Sequence, residues 1–400
     1  MSNFWEKSRD QEDILDLDIV PKDFIQSIGP QEIRKLGDPN YTLALAYVFQ
    51  KWLRLIDDMK RGLADWLVAA GEIEASKACY DIWYRGAATT KVEYCLTPKA
   101  QRHQRQKDDR YNDQQNDKFS LFSIEHERTM FLDFERLSTG MHTSQTPKYW
   151  STYFQMQHYG MPTRLLDWTE AFLVALYFAV NTSKARSRDD KEKYAIVLVI
   201  FPQLLNFLKT SMDRDKTIHP LGLSPDYQVE DKPPFFPPNS FRFTVDSQLD
   251  WDKRTEDKPP LDDYQITKGD ESAYPELPAA LWPSYQDMRM RAQRSVFTIH
   301  GRREGGFKAA IVYGRQYTPF AKKLNTDGLK SKPGIQLPLL GLIRIEKNDP
   351  YFIDKLWNQI IDSGISESTA FPDLEHLSQE LTGDFSPRGR KGNIPKWRRY

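Results

Sequence analysis

Cysteine is nearly absent. The 400-residue chain holds two, Cys79 and Cys95, too few for a disulfide framework, and such usage points to a reducing compartment, the cytoplasm. Long apolar runs are missing as well. The longest, Ala171 to Val180, falls well short of the about 20 residues that a membrane-spanning helix needs. Met1 to Asp10 carries charges with no apolar stretch after them, so a secretory signal is not expected. Net charge is absent, because 56 Lys and Arg cancel 56 Asp and Glu, which argues against a dedicated nucleic-acid coat protein. There is no Walker A loop, no G-x-G-x-x-G, no H-E-x-x-H, no C-x-x-C and no G-x-S-x-G. The seven histidines are scattered without metal-ligand spacing. P-loop NTPases, kinases, zinc deaminases and classical triad hydrolases are therefore disfavoured, and no metal is expected.

What is present is a globular chain of mixed pattern, long enough for two or three domains at about 150 residues each. Residues 1–40 are charged and punctuated by Pro21, Pro30 and Pro39, and read as a lead-in with one short helix. Residues 41–78 carry Leu45, Val48, Trp52, Leu55, Leu63 and Leu67 at helical spacing. Amphipathic helices are also expected over 120–137, 150–159, 284–293 and 352–361. A helix apolar on nearly every side, and so buried, is expected over 173–180. Strands are expected near 82–85, 195–201, 296–300, 309–313 and 335–345. Residues 97–118 are polar and read as a loop. Residues 219–283 hold eleven of the 25 prolines, which excludes a long helix or a central strand there. Residues 387–400 contain six Lys and Arg and no acid, a basic tail that suits either an acidic partner or plain solvation. The fold class expected is α+β, a split twisted sheet flanked by helices.

Three segments carry candidate chemistry. In Trp83-Tyr84-Arg85-Gly86, an arginine at the end of an apolar strand must meet water, a carboxylate or an anion, and its planar fork matches phosphate. Gly86 would let a ligand approach the backbone. The block from Gln157 to Glu170 reads QHYGMPTRLLDWTE. Asp167 and Glu170 have capping-box spacing. That leaves His158, Thr163 and Arg164 before a helix start, where anions bind readily. In the third segment Arg289 and Gln293 are four apart, hence on one helix face, and Phe297 follows on a strand that turns it inward.

Taken in order, these segments resemble the FRG domain family, named for a Phe-x-Arg-Gly-type signature that here reads Trp83-Tyr84-Arg85-Gly86. The Gln157-to-Val180 block resembles the family's Q-H-Y-G-x-P-T-R-L-L-D-W-T core. Residues 289–298 resemble a later R-x-x-x-Q-x-x-x-F-T element, and Phe371-Pro372-Asp373-Leu374 a closing piece. On this resemblance residues 79–380 form the domain, with insertions at 97–118 and 205–275, the helical segment 41–78 packed on it and a basic tail over 381–400.

The Tyr84-Arg85-Gly86 strand is similar to that of arginine-first ADP-ribosyltransferases. The resemblance thus implies their architecture and NAD as substrate. It implies Arg85, His158, Thr163 and Gln293 in catalysis, and Tyr84, Arg85, Gly86, Tyr159, Arg164 and Trp168 in holding the nucleotide. A toxin or phage-defence effector would be the setting, with a protein or nucleic-acid acceptor and a separate regulatory chain as partners. Such transferases place a glutamate late in the domain, but here Gln293 is followed by Arg294 and Ser295. Gln293 could stand in, Asp167 or Glu170 could take the role, or the fold could bind a nucleotide or nucleic acid without turning it over. A partner-binding protein that uses the Pro-rich segment is a further alternative.

Overall fold

The structure is a computed structural model. It describes residues 20–69, 76–90, 95–102, 124–138, 149–185, 193–209, 243–245, 277–283, 285, 287–301, 306–308, 310–311 and 338–385. Of the loop expected over 97–118, residues 103–118 lie outside these, as do most of the Pro-rich stretch and the basic residues from 387 onward, whereas Lys99–Gln101 form a short 3-10 helix.

Among the described residues, eight strands form one sheet. They are β1 (Ile25–Ile28), β2 (Trp83–Ala87), β3 (Leu165–Thr169), β4 (Tyr194–Ile200), β5 (Phe243–Val245), β6 (Ala279–Pro283), β7 (Ser295–Ile299) and β8 (Leu340–Glu346). Their spatial order is β1-β8-β4-β2-β3-β7-β6-β5. Only the two edge pairs, β1 with β8 and β5 with β6, are parallel. The fold is thus mixed α and β, as its pattern implied. The sheet is continuous but nearly split. β2 and β3 share one residue pair, Tyr84 with Thr169, whereas β4 and β8 pair from Tyr194 to Ile200 without interruption.

The helices are α1 (Pro30–Lys35), α2 (Ala44–Ala69), α3 (Ile124–Ser138), α4 (Tyr149–His158), α5 (Phe172–Ala185), α6 (Met288–Ala292), α7 (Pro350–Asp362), α8 (Glu367–Ala370) and α9 (Leu374–Phe385). The amphipathic α2 buries Val48, Leu55, Met59, Leu63 and Leu67 because these recur every three to four residues. Asp349 caps α7 by accepting from the backbone N–H of Tyr351 and Phe352. α5 is apolar on nearly every side and buries Leu176, Tyr177, Ala179 and Val180 completely. The main core joins α2, α5 and α7 to β4 and β8. A smaller cluster packs Phe131 of α3 and Trp150, Tyr153 and Phe154 of α4 against Leu165, Leu281, Phe297 and Ile299.

Several sequence expectations change. Residues 20–36 are not a loose lead-in: Val20, Phe24, Ile28 and Ile33 are buried, and β1 extends the sheet. Ala310 and Ile311 are helical rather than extended. β6 lies inside the sheet despite its Pro-rich setting, since its ladder runs over Ala279 to Leu281 and Pro283 is its last residue. Residues 202–209 form a buried helical segment. There the Asn206 amide exchanges hydrogen bonds with Ala280 O and N at 3.0 and 2.7 Å.

On adjoining strands, the Trp168 indole donates to Thr298 Oγ1 at 3.1 Å, and that hydroxyl lies 3.2 Å from His300 Nε2. With the indole hydrogen bond accepted, the hydroxyl keeps its own O–H for a neutral imidazole at Nε2. Burial, with Arg164 and Arg85 adding to it, pushes the His300 pKa down to about 3. The unfolded chain therefore binds a proton here between about pH 6.5 and the folded pKa, while the native state does not. Stability should be level with respect to this group above that window and fall by up to about 1.4 kcal/mol per unit as pH drops through it. Urea unfolding of the wild type and His300→Gln at pH 7 and pH 5.5 checks this: the wild type should lose more stability than the variant. Equal losses would refute it.

Candidate functional site

Where β2 and β3 diverge, a cleft of about 280 Å³ opens. β2 contributes Tyr84, Arg85 and Gly86, α4 contributes Phe154, Gln157 and His158, and β3 contributes Asp167, Trp168 and Thr169. Val174, Ala175 and Phe178 come from α5, Arg289 and Met290 from α6, Gln293 from its C-terminal cap, and Ser295 and Phe297 from β7.

Arg85 is half-buried. Its Nε donates to Cys95 O at 2.8 Å and its Nη1 to Asp167 O at 2.6 Å. The guanidinium therefore bridges the two strands at the point where their ladder fails. Burial pulls its pKa down, Arg102 adds to this, and the Asp167 carboxylate opposes it. A guanidinium starts so high that it remains charged near neutrality. Asp167 extends from β3 with its side chain exposed, and its Oδ2 accepts from Gln157 Nε2 at 2.9 Å. On the far wall Arg289 donates to His158 O at 3.3 Å and stacks over the Phe371 ring at 4.4 Å.

His158 Nδ1 lies 3.3 Å from Asp287 Oδ2. Burial is the largest influence on its pKa and lowers it. Arg289 works in the same direction, while Asp287, Asp373 and Asp167 oppose. The imidazole is neutral at pH 7.

Gln293 sits at a designed corner. Its Nε2 donates to Ala370 O at 3.0 Å, and its carbonyl accepts from Thr169 Oγ1 at 2.6 Å. That same hydroxyl accepts from Ala171 N at 2.9 Å, so it fastens the start of α5 as well. Arg294 then adopts a left-handed backbone with φ 48°, at a cost of about 1–2 kcal/mol. This turns the chain from α6 into β7.

Of the residues singled out from sequence, Tyr84, Arg85, Gly86, His158, Trp168 and Gln293 meet in this cleft. Three others do not line it. Thr163 is fully buried, and its hydroxyl donates to Gln157 Oε1 and accepts from Leu165 N. Arg164 is 2% exposed and pairs with Glu127 at 2.7 Å while donating to His300 O. Tyr159 points outward, 73% exposed. The capping-box reading of Asp167 and Glu170 also fails. Residues 165–169 are a strand, α5 starts at Phe172, and Glu170 pairs with Arg294 at 3.4 Å. Gly86 serves packing, because an added Cβ would lie 1.8 Å from Ala175 O of α5. Phe178 lines the wall without having been picked out by any motif. Only the burial of α5 against β2 brings it there.

Residues 80–188 match the family model described as FRG domain. Over that span the chain is similar to the FRG domain. The matched span runs from just before β2 through α5, so it supplies most of the cleft. Arg289, Met290, Gln293, Ser295 and Phe297 complete the cleft from beyond it. No curated protein and no solved structure matches the chain. Among the described residues no group of three or more His, Cys, Asp or Glu could hold a metal ion, and no helix is long and apolar enough to cross a membrane.

Proposed function

We propose that the cleft binds the nicotinamide end of NAD and breaks its glycosidic bond, by ADP-ribosyl transfer or by hydrolysis. One observation carries this reading. Arg85, His158, Asp167 and Gln293, drawn from four separate elements, converge on one aromatic-walled cleft at the gap in the sheet. A cleft of about 280 Å³ is at the small end of ligand sites, which run from about 300 to 1,000 Å³. It suits the reacting half of a dinucleotide rather than the whole. Phe178, half-buried in the wall, offers a face for the nicotinamide ring. Arg85 and Arg289 supply positive charge for the adjoining phosphates. Asp167 is the carboxylate that the late part of the domain lacks. Beside the ribose it would hold hydroxyls and steady the positive charge that develops at C1′. An enzyme of this kind fits an effector role, in toxicity or antiviral defence, because NAD loss or target modification halts a cell.

The binding-only alternative has one observation in its favour. Gln293 spends its amide N–H on Ala370 O, which leaves it poorly placed to replace a glutamate. Asp167→Asn separates the readings, since it keeps size and strand position. Nicotinamide release should fall about 100-fold or more, with NAD affinity and melting temperature close to those of the wild type. Undiminished release would remove Asp167 from the mechanism. Arg85→Lys should weaken NAD binding, because an ammonium cannot reproduce the fork that reaches Cys95 O and Asp167 O together.

A further inference from the structure

Asp287 has two jobs. As the N-cap of α6, its Oδ1 accepts from Met290 N at 2.7 Å. Its Oδ2 faces His158 Nδ1 at 3.3 Å. His158 lines the cleft, whereas Asp287 stands behind it and is not among the lining residues. An ionised carboxylate can only accept hydrogen bonds. By charge alone, at 3.3 Å, it favours the imidazole tautomer with the proton on Nδ1, and the lone pair falls on Nε2, away from Asp287.

Building on the NAD reading above, we propose that His158 and Asp287 are the proton-handling pair of the cleft, with Asp287 a positioning residue and the acceptor an O–H group, either water or a hydroxyl. The acceptor gives its proton to His158 Nε2 as its oxygen bonds to ribose C1′. The C1′–N bond breaks, and its electron pair neutralises the pyridinium nitrogen, releasing nicotinamide. A carboxylate acceptor would need no base and would gain nothing from this pair. The charged groups around His158 are Asp287 and Arg289 of α6, Asp373 after α8 and Asp167 of β3. Burial and Arg289 outweigh the three carboxylates and keep the ring neutral and ready to accept.

Asp287→Asn tests the pair. Asparagine is an equally good helix cap, so its oxygen stays with α6 and its NH₂ group turns to His158. The tautomer should then reverse. Nitrogen-15 histidine NMR on the full chain should show His158 protonated at Nδ1 in the wild type and at Nε2 in the variant. Nicotinamide release should fall about 100-fold or more, the range expected of a lost general base. The melting temperature and NAD affinity should stay close to those of the wild type. A wild-type His158 protonated at Nε2, or a variant releasing nicotinamide at the wild-type rate, would overturn the proposal. If the wild type releases no nicotinamide, the NAD reading and the acceptor assignment fall together, and the tautomer alone decides the pairing.

Discussion

Glu127→Gln should destabilise the protein by about 3–5 kcal/mol, the cost of stripping one partner from a buried ion pair. Glu127 and Arg164 are 1% and 2% exposed. The carboxylate accepts from Arg164 Nε at 2.7 Å, from Arg164 N at 3.0 Å and from the Tyr153 hydroxyl. The guanidinium also donates to His300 O at 2.8 Å. This network joins α3 and α4 to the residue before β3 and the residue after β7. An amide offers no charge to balance Arg164, which cannot shed its own. With total stabilities of about 5–15 kcal/mol, a loss of that size removes a substantial share of the total. Replacing both partners with apolar residues, Glu127→Leu with Arg164→Met, should recover much of the loss, since the pair itself adds little net stability. Urea denaturation reads both. A single variant within 1 kcal/mol of the wild type would mean that the pair is wetter than its burial indicates.

Gly86→Ala should prevent folding or cost more than about 4 kcal/mol, the range reserved for severe packing faults. The new methyl carbon would stand 1.8 Å from Ala175 O and 2.7 Å from Ala179 N. Both are backbone atoms in the middle of α5, so no side chain can yield. α5 would have to lift from β2, exposing Ala175, Ala179 and the inner faces of β2 and β4. Cell-free expression with circular dichroism and thermal melting gives the answer. A variant melting within a few degrees of the wild type would mean that α5 does not rest on the strand as described.

Gly86 also shows how far sequence reasoning reaches. The run Tyr84-Arg85-Gly86 is legible as a strand with an arginine at a functional edge. The need for glycine is legible too, but not its cause, because the neighbour that forbids a side chain is 89 positions downstream in α5. Long periodic helices such as α2 and the apolar strand β4 declare themselves, since their patterns are local. β3 does not. Leu165 to Thr169 lies beside a capping-box spacing, and only pairing with β7 from Leu165 to Thr169 makes it a strand. β1 and β6 are short and Pro-flanked, and their extended form depends on partners far along the chain. Arg164 misleads for the same reason. An arginine beside His158 reads as a ligand contact until α3 brings Glu127 to it. His158, Trp168 and Gln293 were recognisable one at a time. That they share a cleft with Asp167 and Phe178 depends on the near-split between β2 and β3, which no local pattern encodes.

The most direct measurement is incubation of the purified full chain with NAD, alone and with cell lysate, followed by chromatography for free nicotinamide, with Asp167→Asn alongside. Release by the wild type and its near-loss in the variant is the predicted result, and the nature of the ribosyl product then distinguishes transfer from hydrolysis. A folded wild type that leaves NAD intact under both conditions would contradict the account.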